Sequence, residues 1–346
     1  MFQLVPSQLY TYTRGIGQFL QLHPTIVNVR EKSKMFAWKQ SPSCIALLAL
    51  PLALFALATV VFYPRDFGLP STFTSCGSSS SSAGGISAAP VQPEFRLLVG
   101  IITRPEYYER RHLLRMVYSL QQSDNNFAAH VDVRFVFCNL STEEQAVFVA
   151  LEIMCYDDII ILNCTENMDN GKTYNYFSSL PTLLDGDAKY DYVMKTDDDA
   201  FFRLPSLIES LRDKPRSDVY YGLQMPCDKE NFFPFPPFMS GMGYILSWDL
   251  VEWIATSETA REDTTGPEDM WTGRWLNMAG RASNRFDNAP AMYDYRGTSP
   301  ATCFRHDFVP ETIAVHHLID NARWTDALTY FNFTKGLKSS KQYHIP

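Results

Sequence analysis

The stretch DYVMKTDDDAFF, residues 191–202, is the most informative part of the chain for its fold. Residues 191–196 have the length and apolar content of a buried β-strand, and three consecutive aspartates follow at once. Asp197, Asp198 and Asp199 are therefore expected at the carboxyl end of a strand. Ligands of open α/β sheets bind beyond the carboxyl ends of the strands. The stretch predicts an α/β protein with a polar site at this position.

Strands and helices alternate on the amino-terminal side of this stretch. Apolar runs at 95–102, 131–137 and 157–162 predict buried strands. Helical spacing of apolar residues after Glu109, a capping-box pattern beginning at Thr142, and the run 172–184 predict helices in the same region. This alternation predicts a mostly parallel central sheet with helices on both faces.

The amino-terminal part of the chain has the pattern of a membrane anchor. Residues 44–63 contain no formal charge and are long enough to span a bilayer. Residues 1–43 carry a net charge of +4 (five Lys and Arg against Glu31), so the positive-inside rule places them in the cytosol. A buried core helix would keep a polar stripe, and a cleaved signal peptide has a shorter apolar region. We predict a cytosolic tail at 1–43, with residues 1–34 as a dispensable extension or a misassigned start, and one transmembrane signal anchor at 44–63.

The segment after the anchor indicates a luminal protein. Residues 64–94 are rich in Ser, Gly, Ala and Pro and predict a flexible stem, which leaves 95–346 as a luminal domain. Glycosylation sequons begin at Asn139, Asn163 and Asn332. Five cysteines lie in this domain, where disulfides can form, and an odd number leaves at least one cysteine without a partner in the domain.

Composition excludes several classes of protein. The 346 residues are 46% hydrophobic and 20% charged, which is unlike disordered, collagen-like or coiled-coil chains. The net charge of −8 argues against nucleic acid as a partner. The sequence contains no CxxC pair, no GxGxxG and no GxxxxGK[ST] phosphate loop.

Two interpretations of the aspartate triplet are open. A charge run is most often a solvated acidic turn. Here, however, Lys195 precedes the triplet and an apolar segment follows it, so three mutually repelling charges would lie in a partly dehydrated place. Carboxylate oxygens suit Mg²⁺ or Mn²⁺, and a bound cation would neutralise the triplet.

Three downstream segments are further candidates, each with a plainer explanation. Glu268 and Asp269 fall in the first turn of a predicted helix, where acids commonly stabilise the helix dipole. His316 and His317 follow an apolar strand, so their side chains are expected on opposite faces and only one could join a given site. The run 235–244 suits either a sugar-stacking loop or a packed turn.

Five segments, in order, resemble the glycosyltransferase family 31 enzymes, the β-1,3-galactosyltransferase and N-acetylglucosaminyltransferase group. The resemblance covers roughly two-thirds of the chain. The segments are ERRHLLR (109–115), KTDDDAF (195–201), PPFMSGMGYILS (236–247), PEDM (267–270) and VH (315–316).

The resemblance implies a GT-A-type fold and an activity. The activity is the inverting, metal-dependent transfer of a hexose, with galactose favoured, from a UDP-sugar to a glycan, glycoprotein or glycolipid acceptor, in β-1,3 linkage. It further implies that Asp199 and His316 bind Mn²⁺ or Mg²⁺. Asp269 then corresponds to the general base, with Glu268 as its supporting neighbour.

The same resemblance assigns the remaining site residues and the location. The nucleotide-sugar residues would be Arg110, Arg115, Asp197 and Asp198. The loop bordering donor sugar and acceptor would include Ser240, Gly241, Gly243 and Tyr244. A Golgi membrane location is implied, and a homodimer is left open.

Two alternatives to this activity remain. One is a β-1,3-transferase that uses UDP-GlcNAc, and the other is a catalytically silent carbohydrate-binding or partner-binding homologue. A metal-dependent hydrolase is disfavoured, because it would usually show more clustered His and Asp ligands.

Overall fold

The structure is a computed structural model that describes residues 93–122, 128–184, 189–227, 236–333 and 335. All of these residues belong to one compact unit, Phe73–Pro346. The predicted cytosolic tail and transmembrane anchor, and the stem up to residue 92, lie outside the described residues and stay predictions. Among the helices that are described, none is both long and apolar enough to cross a lipid bilayer.

Strands and helices alternate through the amino-terminal half of the described chain. Its elements are β1 (Phe95–Ile102), α1 (Tyr108–Gln122), β2 (Ala129–Cys138), α2 (Glu143–Tyr156), β3 (Ile159–Leu162), α3 (Lys172–Leu183), β4 (Tyr192–Asp197), β5 (Phe201–Phe202), α4 (Leu204–Arg212), β6 (Val219–Gly222) and β7 (Gln224–Met225). The second half contains β8 (Phe238–Met239), β9 (Gly243–Ser247), α5 (Trp248–Thr256), α6 (Glu258–Glu262), α7 (Glu268–Met278), β10 (Asn284–Asp287), β11 (Met292–Tyr295), β12 (Arg305–His306), β13 (Ala314–His316) and α8 (Asn321–Tyr330).

A seven-stranded mixed sheet forms the centre of the fold, in the order β10-β6-β9-β4-β1-β2-β3. Strand β9 runs antiparallel to both of its neighbours, β4 and β6, while the other four pairings are parallel. The predicted α/β class and mostly parallel sheet are therefore confirmed.

Both faces of the central sheet are buried, which explains why its strands read as continuous apolar runs. Successive side chains of a strand point to opposite faces. In β1, Leu97, Val99 and Ile101 pack into one hydrophobic core, whereas Leu98 and Ile102 pack into the other. Such two-sided burial is typical of parallel sheets covered by helices.

Gly100 interrupts the large side chains of β1 for a steric reason. A Cβ atom at this position would lie 2.1 Å from the hydroxyl oxygen of Tyr176. Because glycine has no Cβ, the Tyr176 hydroxyl fits here and donates a hydrogen bond to the Met194 carbonyl of the neighbouring strand β4, at 3.2 Å. Helix α3 can therefore pack closely over the two central strands.

A second, four-stranded sheet completes the site end of the molecule, in the order β12-β11-β13-β5. Strand β5 follows the aspartate triplet directly, and it pairs antiparallel with β13. Strand β13 also pairs with β11, in a register that sets His316 opposite Asp294. This pairing brings the carboxy-terminal histidines back to the end of β4.

Two disulfides join Cys138 to Cys164 and Cys227 to Cys303. Cys155 is the free cysteine of the described region, as an odd number of cysteines required. The asparagines of the three sequons, Asn139, Asn163 and Asn332, are all exposed.

Candidate active site

A cavity of about 590 Å³ opens at the carboxyl ends of β1 and β4. Its wall collects segments that are far apart in sequence: the end of β1, the aspartate triplet, the turn before β9, the first turn of α7, and the end of β13. Among the predicted site residues, those that line it are Asp197, Asp198, Asp199, Ser240, Gly241, Glu268, Asp269 and His316.

The three aspartates of the triplet have different surroundings. The Thr103 hydroxyl donates to Asp198 Oδ2 at 2.6 Å. Burial raises the pKa of Asp198, although this hydrogen bond acts in the opposite direction. Burial also tends to raise the pKa of Asp199, but the His316 hydrogen bond and charge outweigh it, so that pKa lies below its usual value. Asp197 faces Lys195, whose Nζ lies 2.8 Å from Asp197 Oδ1.

Asp197, Asp199 and His316 form a group that could hold a divalent cation. Their ligand atoms all lie within 4.8 Å of one another. His316 Nε2 is 3.2 Å from Asp199 Oδ1 and 3.8 Å from Asp197 Oδ2. Two carboxylates and one imidazole are common donors for divalent cations, so the residues fit a bound divalent metal.

Asp294 fixes the orientation of His316. The His316 ring donates from Nδ1 to Asp294 Oδ1 at 2.9 Å, which leaves Nε2 directed at Asp199. A carboxylate on the outer nitrogen of a metal-binding histidine is a common arrangement. Burial favours the neutral ring, but Asp199 and Asp294 outweigh this effect and raise the pKa of His316 to about 9.

His317 corrects one expectation about the histidine pair. Its φ of 62° lies in the left-handed region, so the chain leaves the strand geometry at this residue. The two imidazole rings then lie side by side, with centroids 4.3 Å apart and planes tilted by 43°, and both line the cavity. The prediction that they point to opposite faces was wrong, because it assumed that the strand continues. A second group of possible ligand atoms, Asp294, His316 and His317, results.

Glu268 and Asp269 are sequence neighbours with different roles in the structure. Glu268 is enclosed: its Oε1 lies 2.5 Å from Lys195 Nζ, and its Oε2 accepts from the Tyr244 hydroxyl at 3.0 Å. Burial raises the pKa of Glu268 to about 7, against the opposing charge of Lys195. Asp269 accepts from the backbone N–H of Gly241 at 2.9 Å and from its neighbour Met270 at 2.8 Å. Backbone amides thus orient the Asp269 carboxylate at the wall of the cavity.

The two predicted arginines are not in the wall of this cavity. Arg110 donates to the carbonyl oxygens of Leu318 and Ile319, at 2.7 and 3.0 Å. It lines a neighbouring cavity of about 780 Å³, which shares Asp198 and Asp199 with the first. Arg110 therefore holds the segment after the histidines beside the triplet, where its Nη1 also donates to the Asp198 carbonyl at 3.4 Å, and its contact with the nucleotide-sugar stays a prediction.

Arg115 lies on a different side of α1. Five residues turn a helix by about 140° beyond one full turn, so Arg110 and Arg115 cannot share a face. The Arg115 guanidinium binds Glu152 at 2.6 Å and Asp158 at 2.7 Å. The predicted nucleotide contact of Arg115 is corrected to an ion-pair network between α1, α2 and the start of β3.

Gly243 and Tyr244 do not border the cavity either. Every residue of β9 is buried between β4 and β6. A Cβ at Gly243 would lie 2.5 Å from the Phe202 ring, so this glycine permits close packing. Tyr244 supports the site from beneath, through its hydroxyl on Glu268. The predicted loop is thus reduced to Ser240 and Gly241.

Residues that were not assigned from the sequence also contribute. Lys172 Nζ donates to the Thr103 carbonyl at 2.5 Å and pairs with Glu166, and burial lowers the pKa of Lys172. Lys195 could have been recognised from the sequence as a candidate site residue, because it is a charged residue inside an apolar strand. Asp294 is harder to recognise as a site residue from the sequence, because it is a single acidic residue within the strand MYDY of β11.

Comparison with known proteins places this chain among sugar-transferring enzymes. The family model described as Galactosyltransferase matches residues 109–284, just over half of the chain. The beta-1,3-galactosyltransferase pvg3 of Schizosaccharomyces pombe is 26% identical over 277 residues, which are 65% of this chain and 71% of that protein. Mouse beta-1,3-galactosyltransferase 6 is 25% identical over 261 residues, covering 68% of this chain and 77% of that protein.

A third relative is named for a different sugar. The UDP-GalNAc:beta-1,3-N-acetylgalactosaminyltransferase 2 of Xenopus laevis is 26% identical over 153 residues, or 40% of this chain and 30% of that protein. Among solved structures, galactosyltransferase LgtC in complex with donor and acceptor sugar analogs is similar over 71% of this chain and 98% of that one. The TM-score is 0.41 and the identity 13%.

Proposed function

The chain belongs to the galactosyltransferase family and is a glycosyltransferase, and from this premise we propose its reaction. It transfers galactose from a UDP-sugar to a glycan, glycoprotein or glycolipid acceptor, with inversion and in β-1,3 linkage, on a GT-A-type fold. The names of two relatives, both beta-1,3-galactosyltransferases, support the sugar and the linkage.

One observation carries the proposal. The same cavity is lined by two carboxylate centres from different elements: Asp197 and Asp199 with His316, and Asp269 at the start of α7. A displacement with inversion requires two such centres, one where the leaving group departs and one where the nucleophile arrives. It requires no covalent intermediate on the enzyme.

Asp197, Asp199 and His316 would hold Mn²⁺ or Mg²⁺, and Asp294 would keep the His316 ring in place. When bound, such an ion neutralises charge on a diphosphate leaving group. Asp198 is the carboxylate of the triplet that Thr103 engages, and we assign it to the nucleotide-sugar rather than to the ion.

Asp269 acts as the general base. Its carboxylate takes the proton of the acceptor hydroxyl while that oxygen bonds to the anomeric carbon. The bond from the anomeric carbon to the phosphate oxygen breaks, and its electron pair leaves with UDP. Glu268 is unsuited to this task, because its carboxylate is ion-paired with the buried ammonium of Lys195 and also accepts from the Tyr244 hydroxyl, whereas Asp269 has no such cation partner among the described residues and is held by backbone amides alone. Ser240 and Gly241 line the same cavity, and we assign them to the border between donor sugar and acceptor.

A second donor has specific support. The relative named as a UDP-GalNAc transferase makes UDP-GalNAc a candidate beside UDP-galactose. UDP-GlcNAc, and a silent carbohydrate-binding or partner-binding role, stand as further alternatives.

The location forms part of the proposal. We propose a Golgi membrane protein of type II topology, anchored through residues 44–63 with its catalytic unit in the lumen. Two disulfides and three exposed sequon asparagines support an oxidising, glycosylating compartment. Homodimerisation stays open.

Release of UDP from a panel of UDP-sugars tests the activity, with the full chain purified in detergent from a glycosylating host. We expect release from one preferred donor with Mn²⁺ and none with EDTA. Equal release with EDTA would contradict the metal requirement. If the protein binds UDP with Mn²⁺ but releases none from any donor, addition of galactoside acceptors separates a missing acceptor from a silent homologue.

A further inference from the structure

Lys195 occupies an unusual position beneath the cavity. It lies within β4, its side chain is 0% exposed, and it is absent from the cavity wall. Its ammonium reaches three oxygens: Asp197 Oδ1 at 2.8 Å, the Gly241 carbonyl at 2.7 Å and Glu268 Oε1 at 2.5 Å. An ammonium has three N–H donors, so each donor has one acceptor.

The three acceptors belong to the three segments that form the reacting part of the site. Asp197 ends β4, Gly241 lies in the turn before β9, and Glu268 begins α7. Burial disfavours a charged lysine, but Asp197 and Glu268 outweigh it and raise the pKa of Lys195. One buried cation therefore holds two acidic segments together that would otherwise repel each other.

Lys195 is connected to the proposed base, Asp269, through Gly241 and Glu268. Gly241 is held on both sides: its carbonyl accepts from Lys195, and its N–H donates to Asp269 Oδ2 at 2.9 Å. Glu268 immediately precedes Asp269 in the chain. A Cβ at Gly241 would lie 3.0 Å from Glu268 Oε1 and 3.3 Å from Asp269 Oδ2, which shows how closely these groups pack.

We propose that Lys195 is a positioning residue that sets the Asp269 carboxylate relative to the metal-holding end of β4. It acts through Gly241 and Glu268 and does not touch the substrate. This inference rests on the proposed function, since it concerns the geometry of the base in that reaction.

The primary test replaces Lys195 with methionine, which keeps the length of the side chain but not its charge. We expect Lys195→Met to lower kcat by about 30-fold or more, because small displacements of a catalytic group are costly. The Kd for UDP with Mn²⁺ should not rise by more than about threefold, because removal of a cation beside Asp197 favours cation binding electrostatically. Lys189→Met removes an exposed lysine that pairs with Glu252, and this matched control should leave both values unchanged. A kcat of Lys195→Met equal to that of wild type would overturn the proposal.

A double variant separates positioning from simple support of the fold. Lys195→Met leaves Glu268 as an unpaired buried carboxylate, so its Tm should fall. Lys195→Met with Glu268→Gln removes both charges and should recover most of that Tm. If Lys195 positions the base through Gly241, the double variant stays at least about tenfold below Glu268→Gln in kcat. If its kcat instead equals that of Glu268→Gln, Lys195 serves stability alone.

Hydrogen exchange at Gly241 gives a readout that does not need turnover. Loss of the Lys195 contact should loosen the turn before β9. The Gly241 amide should therefore exchange faster in Lys195→Met and in the double variant, but not in Lys189→Met. Unchanged exchange would contradict the positioning role even if wild type proved inactive. Faster exchange together with an inactive wild type would instead count against the proposed function alone.

Discussion

At the scale of single residues, Glu268 and Asp269 show how surroundings divide the tasks of two adjacent acids. Glu268 is paired with a buried lysine, whereas Asp269 is oriented by backbone amides at the cavity wall. The same holds for the triplet, in which Asp197, Asp198 and Asp199 face Lys195, Thr103 and His316 respectively. Residue type alone could not have distinguished these roles, because the partners come from distant segments.

Asp294 should control metal affinity through His316. Asp294→Asn keeps the shape of the side chain but removes the negative charge that holds the His316 N–H. Loss of such an outer partner typically weakens metal binding 10- to 100-fold, and we expect a loss of about this size. Titration calorimetry with Mn²⁺ measures it. Asp307→Asn, at an exposed acid that pairs with Arg296, is the matched control, and equal affinity of the two variants would contradict the assignment.

Metal binding should depend on pH through His316. The folded protein without metal keeps a proton on this ring up to about pH 9, whereas an ordinary histidine loses it near 6.5. The charged ring thus stabilises the metal-free fold below pH 6.5, and that contribution is lost as the pH rises through about 9. A metal must displace this proton, so the Kd for Mn²⁺ should fall by up to about tenfold per pH unit between about pH 6.5 and 8. A Kd that is constant over this range would contradict the role of His316.

At the scale of elements, the sequence was a good guide wherever a local pattern decides the structure. Strand β1 spans the predicted residues 95–102, and β4 differs from its prediction by one residue at each end. The capping-box pattern holds in part: the Thr142 side chain caps α2 by accepting from the Gln145 N–H, while the Gln145 side chain accepts from the N–H of Ser141 rather than from that of Thr142.

Predictions failed where a turn or a tertiary contact decides the structure. The left-handed turn at His317 brings a second imidazole to the site, which strand periodicity could not anticipate. Arg115 pairs with acids of α2 and β3, and this depends on how the helices lie on the sheet. Motif matching assigned both arginines of α1 alike, although they occupy different faces of the helix.

The disulfide between Cys138 and Cys164 should stabilise the edge of the sheet. It joins the end of β2 to the segment after β3, across 26 residues. A loop of this length corresponds to about 3.5 kcal/mol of unfolding free energy in the chain-entropy model. We expect Cys138→Ala with Cys164→Ala to lose roughly this amount in denaturant unfolding. Cys155→Ala serves as the control at an unpaired cysteine, and a double variant as stable as this control would contradict the estimate.

At the scale of the whole molecule, the site exists only because two sheets meet. The central sheet supplies the aspartate triplet, and the smaller sheet returns His316 and Asp294 to it from more than 90 residues further along the chain. The motif order in the sequence named the triplet, Glu268, Asp269 and His316, and all of these residues line the cavity. Which of them reach the cavity depended on the pairing of β5 with β13 and of β9 with β4.

The central claim is that binding and transfer depend on separate carboxylates of one cavity. Parallel measurement of the Kd for UDP with Mn²⁺ and of UDP release tests it most directly in wild type, Asp199→Ala and Asp269→Asn. We predict that Asp199→Ala loses Mn²⁺-dependent binding, whereas Asp269→Asn binds within about threefold of wild type and loses at least about 100-fold in turnover. Binding that survives Asp199→Ala unchanged, or full turnover in Asp269→Asn, would contradict the claim.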